Sequence, residues 1–247
     1  MDRRLLGKSR LQLVQWIMNM RLLKSFALLG LMTGTAIAAP RPVVVELFTS
    51  QACSDCPPAD ALLSQVQAQD PDVLALDLHV TYWDGAAWTD PYSLRGATDL
   101  QNYYASLRDG TEVYTPEAVV DGGAQFVGSN RHAMTAAIEQ AKAKIRTGDA
   151  VPVSVEENGD RVSVHVGPGA GAASVWLFGF DPNHTTRVLG GENGGATLRE
   201  VNVVRSITKL GSWNGEPIAR DIPAPAGIKF AVVVQRPDGA ILGATEN

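Results

Sequence analysis

From Val43 onward the hydrophobic pattern changes period several times, and each change marks an element. Val43-Val-Val-Glu-Leu-Phe48 is a β-branched apolar run bounded by Pro42 and by the polar Thr49-Ser50-Gln51, the signature of a buried strand. Ala61, Leu62, Leu63 and Val66 recur at helical spacing within Ala59 to Ala68, and Val73-Leu-Ala-Leu-Asp-Leu-His-Val80 is a second buried run. Strand, helix and strand with links this short predict a parallel pair joined by a right-handed crossover. A weaker helix is expected over Leu100 to Leu107. Glu117 to Asp121, Gly122-Gly123 and Gln125 to Val127 predict a hairpin, because paired glycines supply the positive φ of tight turns. Ser129 or Asn130 caps a last helix whose apolar stripe is Met134, Ala137, Ile138 and Ala141 and whose stop is Gly148. The order is β-α-β, a helical segment, then β-β-α.

After Asp149 a period of two takes over. Val151 to Val155, the turn Asn158-Gly159, Arg161 to Val166, Ser174 to Phe180, Thr197 to Val204, Lys229 to Val234 and Ala240 to Gly243 read as short strands. They predict an all-β, sandwich-like domain over 149–247, following an α/β domain over 39–148. Gly190-Gly-Glu-Asn-Gly-Gly195 between them is a loop. It lacks the Lys-Ser/Thr ending and following helix of a phosphate loop.

The first 38 residues differ in kind. Met20-Arg-Leu-Leu-Lys24 and then Phe26 to Ile37 give a basic and an apolar region, and Ala36-Ile-Ala38 places small residues where a signal peptidase inspects them. A signal peptide over 1–38 is therefore expected, with Met20 favoured as the true start, and the mature protein is expected to be periplasmic or secreted. Gly30, Thr33, Gly34 and Thr35 dilute the apolar run below the ~20 residues that span a bilayer, so no stable membrane span is expected after cleavage. The chain has 21 basic and 26 acidic residues. Six of the basic and one of the acidic precede residue 39, which leaves 15 against 25 and a net charge near −10, a surface that argues against nucleic acid.

Both cysteines of the chain lie in Cys53-Ser-Asp-Cys56, between the end of the first strand and the start of the first helix. In open α/β sheets that edge gathers the chemistry. Two cysteines in an exported chain of this size are no disulfide framework of the small-domain kind. The spacing leaves three readings: a reactive pair, a permanent bridge, or a metal clip. No histidine pairing has zinc spacing, so the strongest metal set is Cys53 and Cys56 with His79, for Cu(I). On the redox reading Cys53 is the exposed nucleophile and Cys56 the resolver, with the helix N-terminus favouring a thiolate. Pro57-Pro58 is expected to push Cys56 out of helical φ/ψ and start the helix at Pro58. Asp55 is expected to limit the fall in the Cys53 pKa.

Other residues fall near the same edge. Pro116 opens the hairpin strand, a place that needs no N–H, and a cis Thr115–Pro116 bond would turn the Thr115 backbone toward the cysteines. Trp83 and Trp88 follow the second strand, either as a recognition platform or as pins for a loop. Asp77 and His79 share a strand face and read as a structural pair. Glu192, Asn193, Asn202 and Arg205 read as bridges between the halves.

The segments Val44 to Leu63, His79-Val-Thr-Tyr-Trp-Asp84, Val113-Tyr-Thr-Pro116 with Val119-Val-Asp-Gly122, Gly191-Glu-Asn193 and Asn202-Val-Val-Arg205 closely resemble one family. It is DUF1223, a secreted bacterial family of unknown function assigned to the thioredoxin-like superfamily. The resemblance implies a thioredoxin-like domain over 39–148, with Thr115 and a cis Pro116 docking the substrate backbone; Trp83, from its place after the second strand, is the expected recognition residue. The function expected is thiol–disulfide exchange with thiol-containing proteins or small thiols, and no organic cofactor is implied, since the sulfur pair holds the electrons. Thioredoxins keep a buried acid where this chain has Leu47, and the nearest acid, Glu46, belongs to the other strand face. The competing class is a non-catalytic binding module in which a disulfide staples the loop.

Overall fold

Every residue of β1 (Val43–Thr49) and of β2 (Val73–His79) is buried, as central strands covered on both faces must be. The computed structural model describes residues 41–108, 112–148 and 150–247; the expected signal peptide over 1–38 lies outside them. β1 and β2 run parallel from Val43↔Val73 to Thr49↔His79, joined by α1 (Pro57–Gln69). α2 (Arg95–Ser106) starts five residues before the expected Leu100. β3 (Glu117–Val120) pairs antiparallel with β1 and forms a hairpin with β4 (Ala124–Val127). Its turn is carried by positive φ at Asp121 and Gly122, 53° and 69°. Asn130 caps α3 (Arg131–Thr147) by accepting from the Ala133 N–H at 3.1 Å.

The second half is built from β5 (Val153–Asn158), β6 (Arg161–Val166), β7 (Ala173–Arg187), β8 (Thr197–Trp213), β9 (Ile218–Pro223), β10 (Lys229–Gln235) and β11 (Ile241–Glu246). Four of these strands do not form a separate body. They extend the first half's sheet into eight strands in the order β11-β10-β7-β8-β2-β1-β3-β4, while β5-β6-β9 forms a small second sheet. The seam is a short parallel pairing of β8 on β2 at Asp77↔Val203. Beside it Asn202, at φ 49°, bends β8 and donates its Nδ2 to the Ala75 carbonyl at 3.0 Å. The sheet-on-sheet packing expected of the second half is present, but one of its layers belongs to the shared sheet.

Strand alternation distributes the core. Val43, Val45 and Leu47 face α1 and α3, meeting Leu62, Leu63, Met134 and Ile138. Val44 and Phe48 face the opposite way, toward Leu100 and Tyr104 of α2. The small sheet covers β7 and β10 on the face opposite α2, through Val162, Val164, Leu177 and Val232. These layers leave the C-terminal ends of β1 and β2 as the edge where the cysteine loop sits.

Candidate functional site

The loop between β1 and α1 is a turn drawn in by its own backbone. The Cys53 N–H donates to the Ser50 carbonyl at 3.2 Å and the Cys56 N–H to the Cys53 carbonyl at 3.3 Å. Cys56 already has helical φ −77° and ψ −39°, against the bias of a residue before proline. The two prolines then occupy the first helical turn, where the absent N–H groups have no intrahelical partner to lose. The helix therefore begins at Pro57, one residue earlier than expected, and brings the sulfurs closer to its N-terminus.

Both thiols are free and buried, Cys53 2% exposed and Cys56 0%. The expected open nucleophile is instead roofed over. Cys53 Sγ lies 3.9 Å from the Thr115 carbonyl, and the Thr115–Pro116 bond is cis. Trp83 donates its Nε1 to the Thr115 hydroxyl at 2.7 Å, pinning that residue over the pair. A hydrogen bond from Cys56 holds the Cys53 pKa down at about 6; burial opposes it, and Thr115 and the backbone N–H of Asp55 reinforce it. The same bond, together with burial, pushes the Cys56 pKa far up. One proton is thus shared by two sulfurs, with the thiolate on Cys53. Asp55, expected to resist this, assists it through its backbone.

The roof comes partly from the second half. Asn193 donates its Nδ2 to the carbonyls of Gln51 and Cys53 at 3.0 and 2.8 Å. Glu192 accepts from the Ser54 N–H at 3.0 Å, and the Ser54 hydroxyl first and this N–H second lower its pKa. The Gly-rich loop can lie this close because a Cβ on Gly190 would sit 1.9 Å from the Ala87 carbonyl oxygen. On the other side of the pair an open groove of about 390 Å³ is lined by Asp55, Pro58, Tyr114, Thr115, Pro116 and Val127, among others.

Beneath the loop lies a group of buried ionisable residues, Asp60, Asp77, His79, Asp90 and Glu200. His79 Nδ1 is 2.7 Å from Asp90 Oδ2, which also accepts from the Gln51 N–H at 2.8 Å. His79 Nε2 and both Asp77 oxygens lack a hydrogen bond, the nearest approach being 3.6 Å. The expected Asp77–His79 pair is present as a 3.6 Å ion pair without a hydrogen bond, and Asp90 from the following loop supplies the hydrogen bond to the other ring nitrogen. Burial disfavours a charged imidazole, yet Asp77 and Asp90 prevail and its pKa stands well above the ordinary value. Burial also raises Asp60, with Asp77 adding to it, and raises Glu200 to about 7. Gln51 donates to both Glu200 oxygens at 3.0 Å, so β8 reaches the cysteine loop from below as well.

Asp60 is the acid next to the resolving cysteine. It follows Cys56 by four residues on α1, accepts from the Thr49 hydroxyl at 2.8 Å, and its charge and Thr49's hydrogen bond both act on the Cys56 thiol. Sequence reasoning missed it, because an aspartate in a first helical turn reads as ordinary dipole matching; the available signal was its i, i+4 relation to Cys56. Glu46 points to the opposite face and accepts from the Tyr104 hydroxyl at 2.5 Å. The Cu(I) set of Cys53, Cys56 and His79 is not assembled: the ring nitrogens of His79 are turned to Asp90 and Asp77, and among the described residues no three His, Cys, Asp or Glu side chains are arranged to hold a metal. Among the described residues no helix is long and apolar enough to cross a membrane.

Residues 44–235 match the family described as Protein of unknown function (DUF1223). No curated protein matches the chain. Among solved structures, an Agrobacterium tumefaciens protein from a structural-genomics programme is 32% identical, with a TM-score of 0.71 over 84% of this chain and 94% of that one. HBP35 of Porphyromonas gingivalis is 14% identical, with a TM-score of 0.55 over 84% of this chain and 75% of that one, a likeness of fold alone.

Proposed function

Because the chain belongs to DUF1223, a family whose description names no reaction, we propose from the site itself that it is an exported, thioredoxin-like thiol–disulfide exchange protein. The observation that carries this reading is the split pair: Cys53 pulled down to about 6 and Cys56 pushed up, on one shared hydrogen bond. A thiolate beside its own thiol partner at a helix N-terminus is suited to attack a disulfide and then be released. The thioredoxin-like assignment is supported by the β-α-β, α, β-β-α order and by Thr115–Pro116 facing the cysteines. Export is supported by the basic-then-apolar segment ahead of residue 39.

In the forward direction the Cys53 thiolate attacks a partner disulfide. A Cys53–partner S–S bond forms, the partner's S–S bond breaks, and one partner thiolate leaves. Cys56 then gives its proton to Asp60 in the ionised form of that carboxyl and attacks Cys53, closing the internal disulfide and releasing the second partner thiolate. Two electrons pass from the protein pair to the partner, and the reverse sequence oxidises a partner dithiol. A carboxylate whose proton affinity burial has raised is a matched acceptor for a buried thiol. Thr115 and Pro116 offer backbone to the partner, and Trp83 holds Thr115 in place.

The rival reading, a stapled loop without exchange, is favoured by the 2% exposure of Cys53. Equilibration with glutathione and thiol trapping separates the two. A potential between about −120 and −270 mV with Cys53 alkylated faster than Cys56 supports exchange. A potential below about −300 mV with both sulfurs inert makes the bridge structural.

A further inference from the structure

Large apolar side chains are not scattered evenly over this surface. Among the described residues, six are exposed, and four of them belong to segments that border the cysteine pair. Tyr114 and Val127, 37% and 50% exposed, form a wall of the groove beside Thr115. Tyr82, 43% exposed, donates its hydroxyl to Gln101 at 3.2 Å, and Gln101 donates in turn to the Tyr114 carbonyl at 2.7 Å. Leu189, 78% exposed, immediately precedes the Gly-rich loop that bonds to Gln51, Cys53 and Ser54. An apolar cluster of this kind around one point marks a contact surface rather than the usual single exposed residues.

Charge narrows the partner. Among the described residues Asp55 is the one charged residue lining the groove, and Glu192 adds a second exposed acid on the opposite lip, at Ser54. Of the cations nearest in the chain to the groove wall, Arg108 is paired with Glu117 at 2.8 Å, and Arg131 donates to the neutral Gln65 at 2.6 Å and keeps its charge. Resting on the exchange reading above, we propose that the surface takes polypeptide substrates whose cysteine is flanked by apolar and basic residues. The Val188–Gly195 loop of the second half is then the second lip of the docking site.

The test uses the full chain in its reduced form and three substrates with one leaving group. Each carries a cysteine in mixed disulfide with 2-nitro-5-thiobenzoate: a Leu/Lys-flanked peptide, a Leu/Glu-flanked peptide of equal length, and neutral mercaptoethanol. The Cys53 thiolate takes the substrate sulfur, the coloured thiolate leaves, and Cys56 then frees the substrate thiol as the protein disulfide closes. An acid–base pair about 6 Å apart in water is worth about threefold, so two acids predict release about tenfold faster from the Lys peptide than from an uncharged one, and, with repulsion replacing attraction, about a hundredfold faster than from the Glu peptide at low salt. That preference is expected to collapse toward unity near 1 M salt, where the screening length is about 3 Å, and to shrink at low salt in an Asp55→Asn, Glu192→Gln double variant. Equal rates for the two peptides, with mercaptoethanol substrate consumed, overturn this inference and leave exchange standing. No release from any of the three overturns exchange itself.

Discussion

Replacing Cys56 by alanine deletes the donor that holds Cys53 as a thiolate, and the geometry sets the size of the effect. With a pKa of about 6, about nine-tenths of Cys53 is ionised at pH 7. A thiol at the ordinary value near 8.5 is about 3% ionised there, so the pair accounts for up to about thirtyfold in thiolate population, or about 2 kcal/mol. Thr115 and the Asp55 N–H remain in the variant and keep part of this, whereas burial then acts with less opposition. The rate at pH 7 is a poor readout, because a more basic thiolate is also a better nucleophile and offsets much of the lost population. The pH midpoint of iodoacetamide alkylation reads the effect directly. It is expected to rise from about 6 to about 8 in Cys56→Ala, with a higher plateau rate above it. Cys56→Ser keeps an O–H donor and is expected to fall between the two. A Cys56→Ala midpoint within about half a unit of the unmodified protein would falsify the shared-proton account.

The same depressed pKa makes redox state and pH interdependent. Cys53 stabilises the reduced protein increasingly as pH rises from about 6 toward the unfolded thiol value, above which Cys56, held protonated by the fold, takes the gain back; melts of reduced against oxidised protein from pH 5 to 8 should show the reduced form gaining with pH. Asp60 has the opposite sign. Its raised pKa means the folded state holds a proton that the unfolded state releases, so its contribution falls as pH climbs above the ordinary aspartate range. Asp60→Asn should therefore raise stability at pH 7 in denaturant titration, while slowing closure of the internal disulfide from a trapped Cys53 mixed disulfide; an unchanged closure rate would remove Asp60 from the mechanism. Asn193→Ala breaks two bonds to the cysteine loop; about 1–2 kcal/mol of destabilisation and faster Cys53 alkylation are expected, and a stable protein with unaltered alkylation would show that the loop is no roof.

What the sequence made legible follows the range of the interactions involved. β1, β2, the Gly122 hairpin and α3 are set by neighbours within a few positions, and their periods are visible in Val43 to Phe48 or in Met134 to Ala141. β7 and β8 run past their expected ends at Phe180 and Val204, to Arg187 and Trp213, because each is sustained by pairing with the other. β9, Ile218-Ala-Arg-Asp-Ile-Pro223, carries charges and sits at the edge of the small sheet, where little apolar signal is required. The cysteine pair and its Thr115–Pro116 neighbour were readable from spacing and order. The burial of Cys53 was not, since it depends in part on Asn193, 140 positions away. Nor was the ionisable group beneath, whose members come from α1, β2, a loop and β8.

The seam between β8 and β2 has a consequence for any attempt to isolate the chemistry. An excised first half ending at 148 would carry both cysteines and Thr115, yet it would lose the β8 pairing at Asp77↔Val203 and uncover the β2 edge that β8 borders, a template for intermolecular pairing. It would also open Asp77 to water and strip Gln51 of Glu200. The portable unit is thus the described chain from 41 to the end, which should unfold in a single cooperative transition, the sulfur pair losing its environment at the temperature where the far sheet comes apart.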